Sequence, residues 1–251
     1  MIPRIIHYCW LSDDPIPENL QENMNTWSRL KDYTFMKWDF TRFTEDVPWV
    51  REAFENKKYA FACDYIRLYA VYHYGGIYMD MDMEVIRPFD DLLDSPLMLA
   101  YEDSDRFKIE AGCFGAEKGN PLIGECLAYY AGRHFVREEG EFDMIPLPDI
   151  LGQVVQSHDI RIYGCDFFTA KSFLNGHIYS TENTYTIHHF AGSWLPDYYK
   201  EISKRTELYA KKYPGNLSRY LAIITYFTEK YGIIGGVRRM IRRAAGKKDE
   251  V

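Results

Sequence analysis

The chain opens with a short β-branched apolar run, Ile2 to Trp10, which predicts a buried strand, and Leu11-Ser12-Asp13-Asp14-Pro15 closes it with turn residues. Pro17 to Leu30 carries apolar residues at helical spacing, and Tyr33 to Trp38 reads as a second strand ending at Asp39. A β-α-β opening predicts a parallel sheet, and ligands of such sheets lie beyond the carboxyl ends of the strands. Trp10 and Asp39 therefore stand at the expected mouth.

Tyr59 to Tyr74 is apolar nearly all round and predicts a buried helix stopped by Gly75-Gly76, with a strand from Ile77 to Ile86 behind it. Period two puts Ile77, Met79, Met81, Met83 and Val85 on one face of that strand, and Tyr78, Asp80, Asp82 and Glu84 on the other. Further strands are expected near Leu97 to Tyr101, Gly112 to Ala116 and Thr184 to Phe190, and helices over Pro121 to about His134, Asp197 to Tyr213 and Leu217 to Tyr231. The pattern suits a catalytic domain over residues 1–195, a helical part over 196–232 and a basic amphipathic tail over 233–251.

Composition narrows the chemistry. The 251 residues carry a net charge of -7, which gives no general attraction to nucleic acid, so a phosphate-bearing ligand needs a local cation. Aromatic residues make up 16% of the chain, more flat amphipathic surface than a core alone requires. Cys9, Cys63, Cys113, Cys126 and Cys165 form no CxxC pair, which fits free thiols in a reducing cytoplasm. The start of the chain lacks the apolar core of a signal peptide, and no uninterrupted apolar stretch reaches the ~18 residues that span a bilayer.

Asp80 and Asp82 are the sharpest chemical signal. On one strand their Cα atoms would lie roughly 6.6 Å apart, and at an effective dielectric near 20 two such charges repel by about 2 to 3 kcal/mol. A divalent cation removes that repulsion, and oxygen ligands suit Mn²⁺ or Mg²⁺. A bare Asp-x-Asp is more often a solvated strand face, so context must carry the argument. Asp64 and Arg67 supply it: they are the only Asp, Glu, Lys or Arg between Tyr59 and Met79, and they share a helix face that leads into the Asp-x-Asp. An acceptor for sugar hydroxyls and a planar donor for phosphate or sugar oxygen is one role for them, a buried ion pair the other. Of His188 and His189, alternation allows one to face the site, where imidazole would complete a metal shell. Val237, Met240, Ile241 and Ala244 repeat at helical spacing beside Arg238, Arg239, Arg242 and Arg243, and Lys247 and Lys248 extend the charge. That pattern predicts an amphipathic helix suited to an anionic lipid surface.

Four segments in this order, Ile2 to Trp10, Ala62-Cys63-Asp64-Tyr65-Ile66-Arg67, Gly75 to Asp82 and His189-Phe190-Ala191-Gly192-Ser193-Trp194, resemble the DXD-motif sugar transferases. That family includes bacterial capsular and exopolysaccharide enzymes, fungal outer-chain mannosyltransferases and clostridial glucosylating toxins. The resemblance implies an α/β fold of GT-A type with a mixed central sheet, a nucleotide-sugar donor such as a UDP-sugar, Mn²⁺ (or Mg²⁺), and transfer with retention to a saccharide acceptor in capsule, exopolysaccharide or O-antigen assembly, on the inner face of the cytoplasmic membrane if the acceptor is lipid-linked. By position, Trp10 would stack on the base, with Asp39 at the same mouth, Asp64 and Arg67 would hold the donor sugar and Tyr78 would line its pocket. Asp80 would face ribose and sugar hydroxyls and touch metal through water, Asp82 would bind metal directly, and His189 would occupy a metal-ligand position. Ser193 and Trp194 would cover the diphosphate, the indole N–H donating to the leaving oxygen. Glu102 and Glu110 would border the acceptor. A metal-dependent nucleotide-sugar hydrolase and an inactive carbohydrate-binding scaffold are the competing expectations.

Overall fold

The computed structural model describes residues 1–104, 108–138, 140–192, 197–213 and 215–244, with side chains in the last segment through 242. Two compact units emerge, one of residues 1–170 and 180–194, the other of 171–179 and 195–251.

The first unit is mixed α/β. Strands β1 (Ile5–Cys9) and β2 (Thr34–Trp38) pair in parallel around helix α1 (Glu18–Asn25), as the opening pattern predicts. Helices α2 (Pro48–Glu55) and α3 (Tyr59–Tyr74) follow, and strand β3 (Gly76–Met79) returns parallel to β1. After β4 (Met83–Val85) come β5 (Leu97–Met98) and β6 (Cys113–Ala116), and β6 runs antiparallel to both β3 and β5. The central sheet is thus β2-β1-β3-β6-β5, a mixed sheet of the kind expected. Helices α4 (Pro121–Ala128), α5 (Leu147–Val155) and α6 (Cys165–Phe168) lead to β7 (Thr186–His188), which pairs antiparallel with β4 in a separate two-stranded sheet.

The sheet buries a different apolar set on each face. Ile77 and Met79 of β3 join Ile6, Met98 and Cys113 on one side, while Tyr78 joins Phe114 and the apolar flank of α3 on the other. The passage from α3 into β3 depends on two glycines. Gly75 has φ +66° and Gly76 φ +110°, and a Cβ on Gly76 would stand 2.6 Å from the Ile5 carbonyl oxygen.

The expected strand from Ile77 to Ile86 is in fact two strands. β3 ends at Met79, the Asp80 amide donates to Gly112 O at 2.7 Å, and a turn closed by Met83 N to Asp80 O carries the chain into the second sheet. Asp80 and Asp82 therefore sit in a connection between sheets, not side by side on a strand face.

In the second unit α7 (Asp197–Ala210) packs on α8 (Leu217–Ala244) through Ile202, Ala222, Tyr226 and Phe227. Lys171 bonds Glu207 at 2.7 Å, and Phe173 stacks on Tyr199. The helix α8 is broken at Gly232 (φ 71°, ψ 169°), directly after Tyr231, where the expected helix ends. Gly236 lies inside the second helical stretch, where a Cβ would meet the Phe227 carbonyl oxygen at 2.8 Å. No helix among the described residues is long and apolar enough to cross a membrane.

Candidate active site

Arg67 organises the approach to the Asp-x-Asp. It sits one turn after Asp64 on the buried face of α3, and its Nη2 lies 3.3 Å from Asp64 Oδ1. Nη1 donates to Ala111 O at 2.8 Å and reaches Asp80 Oδ2 at 3.3 Å. The guanidinium lies 4.6 Å from the centre of the Tyr78 ring, and the Tyr78 hydroxyl donates to Asp80 Oδ1 at 2.7 Å. The backbone N–H of Leu147 donates to Asp64 Oδ2, so both partners of the helical pair are tied to other elements.

Burial raises the Asp64 carboxyl to about 6, with Arg67 and the Leu147 amide pulling the other way. Burial also works against the charge on Arg67, yet Asp80, Tyr78 and Asp64 together hold its pKa above the ordinary value, so it remains a cation. This is more than a helical ion pair: Arg67 links α3 to the first aspartate.

The second aspartate is held by the chain around β7. His189 N donates to Asp82 O, and Ala191 N donates to Asp82 Oδ2 at 2.7 Å. Between them Phe190 adopts φ 53°, a left-handed conformation that a bulky residue rarely takes, with its ring stacked on His188 at 4.1 Å between centroids. The strained turn returns the backbone onto Asp82.

Here the structure corrects the histidine assignment. His188, not His189, faces the aspartates, with Nε2 3.5 Å from Asp82 Oδ1, while His189 pairs with Glu84 Oε2 at 2.9 Å. The strand register explains it: β7 pairs Met83 with His188, and the alternation of side chains sends the next residue to the opposite side. One ligand atom from each of Asp80, Asp82 and His188 falls within 4.8 Å of the others. Two carboxylate oxygens and an imidazole nitrogen suit Mn²⁺, and Mg²⁺ less well because of the nitrogen. Burial would raise the Asp82 carboxyl, but the His188 charge and its hydrogen bond bring it to about 2, whereas burial raises Asp80. Two adjacent carboxyls with opposite shifts form an acidic centre whose compensating charge comes from His188 and Arg67.

Glu110, expected to border the acceptor, is 1% exposed and occupied by His188 Nδ1 at 3.0 Å. Glu102 is half-buried, and burial followed by the nearby Glu110 raises it to about 7. Trp10 and Asp39 do lie at the carboxyl ends of β1 and β2, but their polar groups serve local turns. The Trp10 indole donates to Asp14 O, and Asp39 accepts from Thr41 and pairs with Lys37. Ser193 and Trp194 lie outside the described residues. Sequence reasoning missed Gly112 and Thr169. Neither stands in a recognisable motif, and both matter only through contacts made across the fold.

Asp80 and Asp82, with Arg67 of α3 and His188 of β7 beside them, form one acidic centre. The family model for the glycosyltransferase sugar-binding region containing DXD motif matches residues 16–99. A mannosyl phosphorylinositol ceramide synthase of Saccharomyces cerevisiae is 36% identical over 105 residues, 39% of this chain and 27% of that protein. Inositol phosphoceramide mannosyltransferase 1 of Schizosaccharomyces pombe is 33% identical over 101 residues, 37% of this chain and 31% of that protein. The chain thus spans less than a third of the length of these relatives, which are fungal mannosyltransferases, not capsule enzymes. Among solved structures, the PaToxG glycosyltransferase matches with a TM-score of 0.48 and 20% identity, covering 61% of this chain and 69% of that one. The family model and the relatives support the DXD-containing glycosyltransferase family.

Proposed function

We propose that the protein is a metal-dependent glycosyltransferase that moves a hexose from a nucleotide-diphosphate sugar to a saccharide acceptor, with retention of anomeric configuration. The observation that carries this reading is the convergence of Asp80, Asp82 and His188 beside the Asp64–Arg67 pair. Asp80, Asp82 and His188 would hold Mn²⁺, which when bound supplies Lewis-acid stabilisation of a diphosphate leaving group.

The protein's own groups do the rest. Arg67 is a fixed planar cation beside that centre and suits a donor oxygen. Asp64 offers an acceptor for a sugar hydroxyl, and Tyr78 holds Asp80 in place through its hydroxyl. Among the described residues no carboxylate is poised as a covalent nucleophile, and Glu110 is taken up by His188. The acceptor hydroxyl therefore attacks from the leaving-group side and its proton passes to the departing phosphate, while the protein orients the two substrates.

The relatives' names mention mannose and an inositol phosphoceramide, which brings mannosyl donors into consideration beside UDP-sugars and favours a lipid-linked acceptor. A lipid surface also suits the end of α8. Ile233, Ile234, Val237 and Ile241 are exposed along one stretch, with Arg238 exposed beside them. Such a stripe can enter the headgroup region of an anionic leaflet while the arginines meet lipid phosphates. An enzyme held on the lipid surface that presents its acceptor is the setting this reading favours.

The test is nucleotide-diphosphate release from UDP-glucose, UDP-galactose, their N-acetyl forms and GDP-mannose, with and without saccharide acceptors and with Mn²⁺ or chelator. Acceptor-dependent, chelator-sensitive release is expected. Release that ignores the acceptor would identify a hydrolase, and binding without turnover a carbohydrate-binding scaffold.

A further inference from the structure

Glu110 stands directly behind His188. Its Oε2 lies 3.0 Å from His188 Nδ1 and accepts from Thr169 Oγ1 at 2.7 Å, while its Oε1 accepts from the Gly112 amide at 2.6 Å. Thr169 is fully buried, and its carbonyl also receives the His188 amide at 2.9 Å. Both oxygens of this carboxylate are thus fixed, and so is the backbone of the histidine it faces.

An imidazole that binds a metal is neutral and carries its one proton on the ring nitrogen turned away from the metal, where an acceptor holds it. Glu110 is that acceptor for Nδ1. The Nε2 lone pair is then left on the side where Asp82 Oδ1 stands 3.5 Å away. Histidines that bind metals commonly have their second ring nitrogen held by a carboxylate in this way, which sets both tautomer and ring angle.

Gly112 reports how closely the parts are fitted. A Cβ there would lie 2.9 Å from Glu110 Oε1, 2.9 Å from His188 Cε1 and 3.1 Å from Asp80 Oδ2. The same residue gives its N–H to Glu110 and its carbonyl to the Asp80 amide. Carboxylate, imidazole and first aspartate meet at the one position without a side chain.

We propose that Glu110 is a positioning residue that holds His188 in its Nδ1–H tautomer and aims Nε2 at the cation site of Asp80 and Asp82. This rests on the metal-dependent reading above and deepens it. Glu110 accordingly acts through His188 and has no direct part in acceptor chemistry.

Mn²⁺ binding, followed by the loss of the free-ion electron paramagnetic resonance signal, measures this without turnover. Glu110→Gln keeps the shape of the side chain and is expected to weaken binding about 10- to 100-fold. Thr169→Val removes one of the donors that aim Glu110, and a smaller loss in the same direction is expected. Long-range proton–nitrogen correlation on the Mg²⁺-loaded protein should find His188 protonated at Nδ1. A folded Glu110→Gln protein with wild-type Mn²⁺ affinity, or His188 protonated at Nε2 in the loaded wild type, would overturn the inference. Should Glu110→Gln fail to fold, Thr169→Val and the wild-type tautomer decide the matter. Wild-type protein that binds no Mn²⁺ would instead remove the metal-dependent reading itself, a distinct result.

Discussion

Trp38 donates its indole N–H to His7 Nδ1 at 3.1 Å, and His7 Nε2 lies 2.8 Å from the Gly75 carbonyl oxygen. The neutral Nε2–H tautomer alone satisfies both neighbours, so this fully buried imidazole joins β1, the end of β2 and the glycine pair that launches β3.

Acid should therefore unlock the fold at His7. Burial, against the pull of the Gly75 carbonyl, lowers its pKa from 6.5 to about 4. Below pH 6.5 the unfolded chain binds the proton first, so stability is complete above that pH and is lost as pH falls towards 4. The shift corresponds to roughly 3 kcal/mol. Urea unfolding at pH 7.5 and 4.5 should show His7→Gln less stable than wild type at the higher pH, yet less weakened by acidification. An equal loss in both proteins would assign the acid sensitivity elsewhere.

Arg67→Lys should retain the charge and lose at least about 100-fold in kcat, because one ammonium cannot meet Asp64, Asp80 and Ala111 O while lying over Tyr78. Steady-state kinetics on the best donor would check it, with circular dichroism to verify folding. Near-normal turnover would reduce the Asp64–Arg67 pair to a structural role.

Asp82→Asn should abolish Mn²⁺-supported turnover while leaving the protein folded, since the amide can still accept from Ala191 N but brings no charge to the cation. Turnover at the wild-type rate by this variant would take the cation out of the reaction.

Much of this site was legible in the sequence, and the parts that were not share a cause. Asp64 and Arg67 stood out as charges in an apolar helix, and the alternation of Ile77, Tyr78 and Met79 across the sheet follows the period-two pattern as far as β3 extends. Beyond Met79 the pattern continues while the backbone does not, because Met81, Met83 and Val85 are apolar for a second sheet that no local signal announces. The choice of His188 over His189 depends on the register of β7 against β4, a pairing about 100 residues apart in sequence. Helices α2 and α5 escaped because each is only about two turns long and begins with proline-containing sequence that also suits a turn.

Replacing Ile234 and Val237 together by aspartate should release the protein from anionic vesicles without altering turnover on a water-soluble acceptor, since both side chains are exposed on α8. Co-sedimentation at low salt would read this out. Equal sedimentation of variant and wild type would return the acceptor to the soluble class.

The pairing of β4 with β7 also has a bearing on synthesis. The amide donors that clasp Asp82 come from residues 189 and 191, and its partner histidine from residue 188, so a nascent chain can complete β1 to β6 with Asp80 held and Asp82 still unclasped. Closure of this long loop must wait for the last strand of the unit to leave the ribosome. Premature termination before residue 186 would thus leave a chain with its DXD sequence intact and no assembled centre, which makes completion of this centre a late step in the making of the molecule.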